Sequence, residues 1–341
     1  MAAFSKNSLV TFIIPTLNSG RVLDPCLRSI RNQKYDRKKI TILILDGGST
    51  DDTLKIAKSY HCHIFHNPLK TSESGKALGI KKSTGEFIAL IDSDNILPST
   101  DWLNTMLLPF KVPSVIGSEP WEYTYRPQGG FIERYSSLTG VNDPYALIAN
   151  IYDRRNLLRL NWNGLHLPVI DHRYYQSFRL TNNMSLPSIG ANGTIYRQSF
   201  LKDFSSDYLI DVDIVSKFLS TSNCLIFAKV KCGIIHSYCE SSILKFIKKQ
   251  NRRVVDLFIY QSKRPGNLIR SHFIGNLKFV FYVILIFPML FDTLKGFIKK
   301  PDPAWLFHPL ACVITLYIYG VVTIIYKLGL LKPINRQQWQ Q

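Results

Sequence analysis

Short apolar runs alternate with amphipathic stretches through the first hundred residues. Residues 10–15 (VTFIIP) form an unbroken apolar run closed by proline, the pattern of a strand buried on both faces. Residues 22–32 follow with helical spacing, placing Val22, Leu23, Cys26, Leu27 and Ile30 on one side. Residues 40–45 (ITILIL) predict a second buried strand. The cluster Asp46-Gly47-Gly48-Ser49-Thr50-Asp51 after it is rich in turn and helix-capping residues, and a helix is expected over 52–60. Ile64 and Phe65 suit a short third strand, and residues 75–83 a further helix. Residues 87–91 (FIALI) then run as a buried strand into Asp92-Ser93-Asp94. Alternating apolar strands and helices predict a parallel α/β sheet, in which ligands bind at the carboxyl ends of the strands. Asn18, Asp46, Asp92 and Asp94 all fall just past predicted strand ends.

The pattern weakens over 121–188, which is rich in Tyr, Arg, Asn and Pro and reads as an inserted region. Its aromatic and basic residues, such as Trp121, Tyr123, Arg126 and Arg134, suit either ligand stacking and anion contacts or ordinary packing. Strand and helix patterns resume at 190–196, 212–219 and 225–230. Beyond His236 the chain becomes basic and apolar. Residues 241–264 predict an amphipathic helix, either lying on anionic lipid or packed on the preceding domain. Residues 279–291 are apolar but too short to span a bilayer and contain Pro288. Residues 304–326 carry no Lys, Arg, Asp or Glu and are long enough to cross. If both crossed, Lys295, Lys299 and Lys300 would lie on the far side, against the positive-inside tendency, so the first segment is expected to be re-entrant, interfacial or half of a tight hairpin. The expected organisation is a catalytic domain over 1–240, with halves 1–118 and 119–240, and a membrane-associated region over 241–341.

Charge sharpens this reading. The formal net charge is +18, and residues 241–341 hold 15 Lys and Arg against 3 Asp and Glu. Basic residues beside apolar runs suit anionic headgroups, and no zinc-finger or RNP-type spacing points to nucleic acid. Six cysteines without a Cys-x-x-Cys pair suggest reduced thiols, and the polar lead before the first strand lacks the features of a signal peptide. The expected location is therefore an inner or plasma membrane, with the catalytic domain facing the cytoplasm.

Asp92-Ser93-Asp94 is the central chemical signal. Two carboxylates one residue apart at a strand exit can hold Mg²⁺ or Mn²⁺ and leave positions for substrate phosphates. Alone, such a pair is more often a capped turn. Its setting is more specific: IIPTLN, then LDGGSTDDT, then SGKALGIKKSTGEFIALIDSDN, in that order and spacing across about the first 100 residues. Here the chain resembles family 2 of the inverting glycosyltransferases.

The resemblance implies an α/β fold of the GT-A type, a nucleotide-sugar donor and a divalent metal (Mn or Mg). It implies that Pro15, Asn18, Asp46, Lys76, Asp92 and Ser93 surround the nucleotide-sugar, Asp46 accepting hydrogen bonds from base or ribose. Lys76 would stand near the phosphates, or be an ordinary solvated helix lysine. Asp92 and Asp94, with His236, would hold the metal, although His236 suits a structural role equally. Ser19-Gly20-Arg21 stands where family members often have an acidic nucleotide contact. In the second half, Gly190 to Arg197 is similar to the family's acceptor-side strand. Asp211-Val212-Asp213 resembles its Glu-Asp element, making Asp211 or Asp213 the general base, with helix N-capping as the plain alternative. Gln250-Asn251-Arg252-Arg253-Val254 loosely resembles the Gln-x-x-Arg-Trp element of processive synthases but lacks its tryptophan, so polymerisation is not expected.

The expected function is metal-dependent, inverting sugar transfer to a lipid-linked or other glycan hydroxyl in envelope glycan or glycolipid assembly. A polyprenyl-phosphate monoglycosyl transferase and a catalytically inactive membrane-bound scaffold are the alternatives. No Gly-x-Gly-x-x-Gly follows the first strand, which argues against a dinucleotide dehydrogenase.

Overall fold

The computed structural model describes residues 8–165, 167–182, 184, 186–187, 189–202, 206–209, 213–261 and 273–336, with Asp213 described by its backbone alone. In chain order the elements are β1 (Val10–Thr16), α1 (Gly20–Arg31), β2 (Ile40–Asp46), α2 (Thr53–Ser59), β3 (His63–His66), α3 (Ser72–Lys82), β4 (Phe87–Leu90), β5 (Asn95–Ile96), α4 (Trp102–Leu107), β6 (Val115–Tyr123), α5 (Phe131–Thr139) and α6 (Pro144–Ile148). They continue as β7 (Val169–Asp171), β8 (Tyr175–Thr181), β9 (Thr194–Arg197), α7 (Gln198–Leu201), α8 (Asp213–Leu219), β10 (Cys224–His236), α9 (Ile243–Ile259), α10 (Phe273–Ile284), α11 (Phe287–Lys299) and α12 (Phe307–Lys327).

Two compact units divide these elements. One holds Met1–Trp121 and Leu167–His236 with Arg336–Gln341, the other Glu122–His166 and Ser237–Asn335. Most of the region expected to belong with the catalytic domain over 119–166 thus groups with the C-terminal helices.

The first unit is built on a mixed sheet in the order β3-β2-β1-β4-β9-β6-β10-β8-β7, with β5 paired to β10. The four strands from the N-terminal half are parallel, in a register that sets Thr16 beside Asp46 and Ile13 beside Leu90. Their apolar runs fill both faces, so β1, β4 and all but one residue of β2 are buried. β9 enters antiparallel to β4, and β8 antiparallel to β10. The parallel expectation thus holds for the first half and gives way to antiparallel pairing in the second. The predicted strand at 190–196 begins only at Thr194, and the run at 225–230 is part of one longer strand, β10.

The order reverses between β1 and β4. A crevice opens at such a switch point, beyond the carboxyl ends of the strands. α3 covers β1 closely because Gly79 lacks a side chain. A Cβ there would stand 2.4 Å from Cγ2 of Ile13. That approach holds Lys76, on the same helix, inside the protein.

The second unit is helical. α5, α6, α9, α10 and α12 share one apolar core containing Tyr135, Leu147, Phe246, Phe279, Trp305 and Cys312. Buried within it, His308 lies 2.8 Å from the Tyr135 hydroxyl and 2.8 Å from that of Tyr282, which donates to Asp292. The predicted apolar run at 279–291 is broken between α10 and α11, which meet at a bend of 84°. Pro288 has no N–H to extend α10, and Ile286 takes a φ of 59°, a conformation that ends a helix. Among the described residues, the helix over Pro303–Lys327 is long and apolar enough to cross a membrane.

Candidate functional site

The loops after β1, β2 and β4 meet in the first unit. The β1 loop turns at Asn18, whose φ of 49° is one that Asn tolerates well. Its N–H donates to Ser49 Oγ (2.8 Å), and its Oδ1 accepts from the Thr50 N–H (2.9 Å), which ties the first loop to the second. Pro15, buried one strand position before Thr16, packs against α3 at Gly75.

Asp46 is buried at the end of β2. Its carboxylate accepts from Thr16 Oγ1 (2.9 Å), the N–H groups of Gly48 (2.9 Å) and Ser49 (2.8 Å), and Ser49 Oγ (2.5 Å). Four donors occupy the usual acceptor capacity of a carboxylate. Asp46 therefore organises the turn itself, and contact with a nucleotide requires the Thr16 or Ser49 hydroxyl to turn away.

Asp51 closes the same loop, accepting from the N–H groups of Gly20 (2.9 Å) and Thr53 (3.0 Å) and from the Thr53 hydroxyl. Partial burial raises its pKa, but these hydrogen bonds outweigh burial and hold it below the ordinary carboxylate range.

The two carboxylates of the Asp-Ser-Asp turn have different neighbours. Asp92, partly exposed, faces the Lys76 ammonium at 3.5 Å, and that lysine is only 3% exposed. The solvated-lysine expectation therefore does not describe Lys76. Asp94 is buried beside His236, whose Nε2 is 3.3 Å from its Oδ1. β5 pairs with the end of β10, placing His236 opposite Asn95, the residue after Asp94. Ser93 is buried, and its hydroxyl donates to Ser19 Oγ (3.2 Å). Beneath the turn, burial and then the Asp94 charge push the Cys26 thiol well above its usual pKa, so it remains protonated.

Of the residues expected to hold a metal, the fold thus couples Asp94 with His236 and turns Asp92 toward Lys76. Among the described residues no cluster of three or more His, Cys, Asp or Glu side chains has metal-binding geometry. The candidate base Asp211 lies outside the described residues. Asp213 opens α8, with its side chain outside them. The chain shortly before is anchored where the Leu209 N–H donates to the Glu73 carbonyl on α3 (3.1 Å).

The sequence reading missed several supporting residues. Asn95 Nδ2 donates to Asn192 Oδ1 (3.1 Å) and Asn95 Oδ1 accepts from the Asp92 N–H (3.0 Å), joining the 190–193 segment to the acidic turn. Glu119 on β6 and Lys229 on β10 form an ion pair with both side chains fully buried, and Glu119 Oε1 also accepts from the Gly190 N–H (3.3 Å). Lys229, inside the apolar run over 225–230 of β10, was the signal for that pair.

Gly193 completes the segment with a φ of +85°, where a Cβ would lie 2.7 Å from Ile234 Cδ1 and 3.0 Å from Pro120 Cγ. Gly193→Ala is expected to cost about 2–4 kcal/mol, from backbone strain and overpacking together. A lowered denaturant midpoint with an unchanged slope would show it.

The model of glycosyl transferase family 2 matches residues 11–168. Glycosyltransferase AglE of Haloferax volcanii is 29% identical over 140 residues, covering 39% of this chain and 45% of the relative. A dolichyl N-acetyl-alpha-D-glucosaminyl phosphate 3-beta-D-2,3-diacetamido-2,3-dideoxy-beta-D-glucuronosyltransferase of Methanococcus voltae is 34% identical over 103 residues, covering 28% of this chain and 32% of the relative. The chain thus spans less than half the length of these curated relatives. In fold, it is similar to a mannosyltransferase of Pyrobaculum calidifontis solved with GDP-Man and Mn²⁺, at a TM-score of 0.52 and 13% identity, covering 94% of this chain and 88% of the other.

Proposed function

Because residues 11–168 match the model of glycosyl transferase family 2, we propose that the chain belongs to that family and transfers a sugar from a nucleotide-diphospho-sugar to a hydroxyl of a lipid-linked glycan acceptor, with inversion, at a membrane. The observation that carries this is the pairing of Asp94 with His236, with Lys76 facing Asp92, at the carboxyl ends of β1 and β4, where the strand order reverses.

A divalent cation suits the donors there. Asp94 offers a carboxylate and His236 an imidazole, both within 3.3 Å of each other and buried, and a Mg²⁺- or Mn²⁺-type site commonly takes its remaining ligands from substrate phosphates. The presence of Mn²⁺ with GDP-Man in the Pyrobaculum structure supports the same reading. When bound, the cation would neutralise charge gathering on the departing nucleoside diphosphate.

The chain's own residues do the rest. Lys76 holds Asp92 and adds positive charge at the turn. Pro15, Asn18 and Asp46 shape the nucleotide loop, and Ser93 braces the acidic turn against Ser19. Asp211 takes the proton from the acceptor hydroxyl as its oxygen attacks, with Asp213 the second candidate for that role. The Methanococcus relative, named for a dolichyl-linked acceptor, and the basic, apolar second unit support a lipid-linked acceptor and a cytoplasm-facing site in envelope glycan assembly.

Calorimetric titration of the detergent-purified chain with UDP, GDP and dTDP, with Mn²⁺ present and then chelated, tests the proposal. One nucleotide is expected to bind, more tightly with metal, and Asp94→Ala is expected to abolish the metal-dependent part. A folded protein that binds none of the three would overturn the reading in favour of an inactive scaffold. Asp211→Asn is expected to lower kcat by about 10²–10⁴-fold, the range for a lost general base, while nucleotide affinity stays unchanged. Equal turnover by this variant would move the base role to Asp213.

A further inference from the structure

The second unit carries a broad apolar surface that its own core does not cover. On α12, Leu310, Val313, Tyr317 and Ile324 are exposed, as is Leu328 at its C-cap, and their spacing lines them along one side of the helix. At the bend between α10 and α11, Ile284, Leu285, Ile286 and Phe287 are all exposed, with Leu290 and Phe291 next to them. No charged residue falls between Lys278 and Asp292, so the bend is an apolar tip. Exposed apolar surface on this scale marks an interaction site rather than a solvated face.

The length of α12 suits a bilayer crossing, but its surroundings do not. α9 runs beside it in the same direction. Near their starts, Phe246 of α9 meets Phe307 of α12 with ring centroids 5.2 Å apart. Val254 and Val255 then pack with Ile318 and Val322, and near the ends Phe258 stacks on Tyr326 at 4.3 Å. Any depth α12 reaches, α9 reaches too. α9 carries Lys245, Lys248, Lys249, Arg252 and Arg253, against one acidic residue, Asp256.

The middle of α12 is also tied to charge. The Tyr319 hydroxyl donates to Asp143 Oδ2 (2.6 Å), and the Arg253 guanidinium, 39% exposed, stands 3.5 Å from that same oxygen. Gln250 joins the group, donating through Nε2 to the Asn142 carbonyl (2.8 Å) and accepting from Arg253 (2.8 Å). The Gln-x-x-Arg pair that the sequence singled out is therefore a clamp between α9 and the start of α6. A crossing α12 would carry this group and the cations of α9 into hydrocarbon, where charged side chains are costly.

We infer that the chain is monotopic: α10, α11 and α12 lie within one leaflet of a lipid bilayer, with the α10–α11 bend as an inserted tip and the cations of α9 at the anionic headgroups. Charge selects lipid as the occupant, because residues 241–341, which include this apolar face, carry 15 Lys and Arg against 3 Asp and Glu. This rests on the proposed membrane attachment and adds its topology: both ends of α12 stay on the same side.

The test uses the full-length chain in its native membrane, with Pro301→Cys and Lys332→Cys made separately at exposed positions flanking α12. Pro303→Cys serves as a second variant on the first side. A membrane-impermeant maleimide is added to intact and to opened vesicles, and labelling is read by peptide mapping so that the native cysteines do not interfere. Both positions are expected to label in the same preparation and to be protected in the same one. Labelling of 301 from one side and 332 from the other would show that α12 crosses, overturning the inference while leaving membrane attachment intact. Failure to float with liposomes containing anionic lipid, as for a soluble dimer joined through this face, would overturn the membrane reading itself and the inference with it.

Discussion

Asp94→Asn is expected to lower kcat/KM by about three orders of magnitude, the scale of removing one strong electrostatic contributor to a transition state. The amide keeps the size of the side chain but removes the charge that faces His236 at 3.3 Å. Asp92→Asn is expected to cost less. Asp92 is partly exposed and faces Lys76 rather than the Asp94–His236 pair. Steady-state kinetics with the donor identified by calorimetry would measure both. If the two variants lose equal activity, the distinct roles assigned to the two carboxylates fail.

The second large effect falls on stability. Glu119→Ala leaves the Lys229 ammonium buried without its carboxylate and the Gly190 N–H without its acceptor. Removing one partner of a buried pair costs about 3–5 kcal/mol. For a domain of this size that corresponds to a Tm lower by roughly 10 °C. Replacing both residues together, as Glu119→Leu with Lys229→Met, is expected to recover much of the loss, because no charge is then stranded. A double variant as unstable as Glu119→Ala would show that lost packing and the lost Gly190 hydrogen bond, rather than the stranded charge, set the cost.

These two predictions differ in how far the sequence anticipates them. The acidic turn is local. Apolar runs of buried strands, followed at once by Asn, Asp and Gly, mark the strand exits where a parallel sheet binds ligands, and the sheet places those exits at β1, β2 and β4. Lys76 is different. As one lysine on a helix that also carries Lys81 and Lys82, it looks like solvated charge, and only the close seat of α3 on β1, permitted at Gly79, buries it beside Asp92. Asp46 reverses the comparison. Its position at a strand end was legible, but its engagement with Thr16, Gly48 and Ser49 depends on the folded turn.

The second half of the chain was read less well, for a physical reason. Weak periodicity over 121–188 conceals both α5 and α6, whose buried sides face the C-terminal helices, and β7 and β8, which extend the sheet by antiparallel pairing. A segment that divides its packing between two cores shows the period of neither.

By itself the sequence determined the strand–helix alternation, the acidic turn at a strand exit and the apolar, basic character of the C-terminal region, because each follows from residues near one another in the chain. The tertiary structure decided which cation each carboxylate faces, the buried Glu119–Lys229 pair and the set of charges alongside α12. Those depend on residues far apart in sequence, and burial beside a particular neighbour is what sets the environment of a lysine, a histidine or an apolar helix.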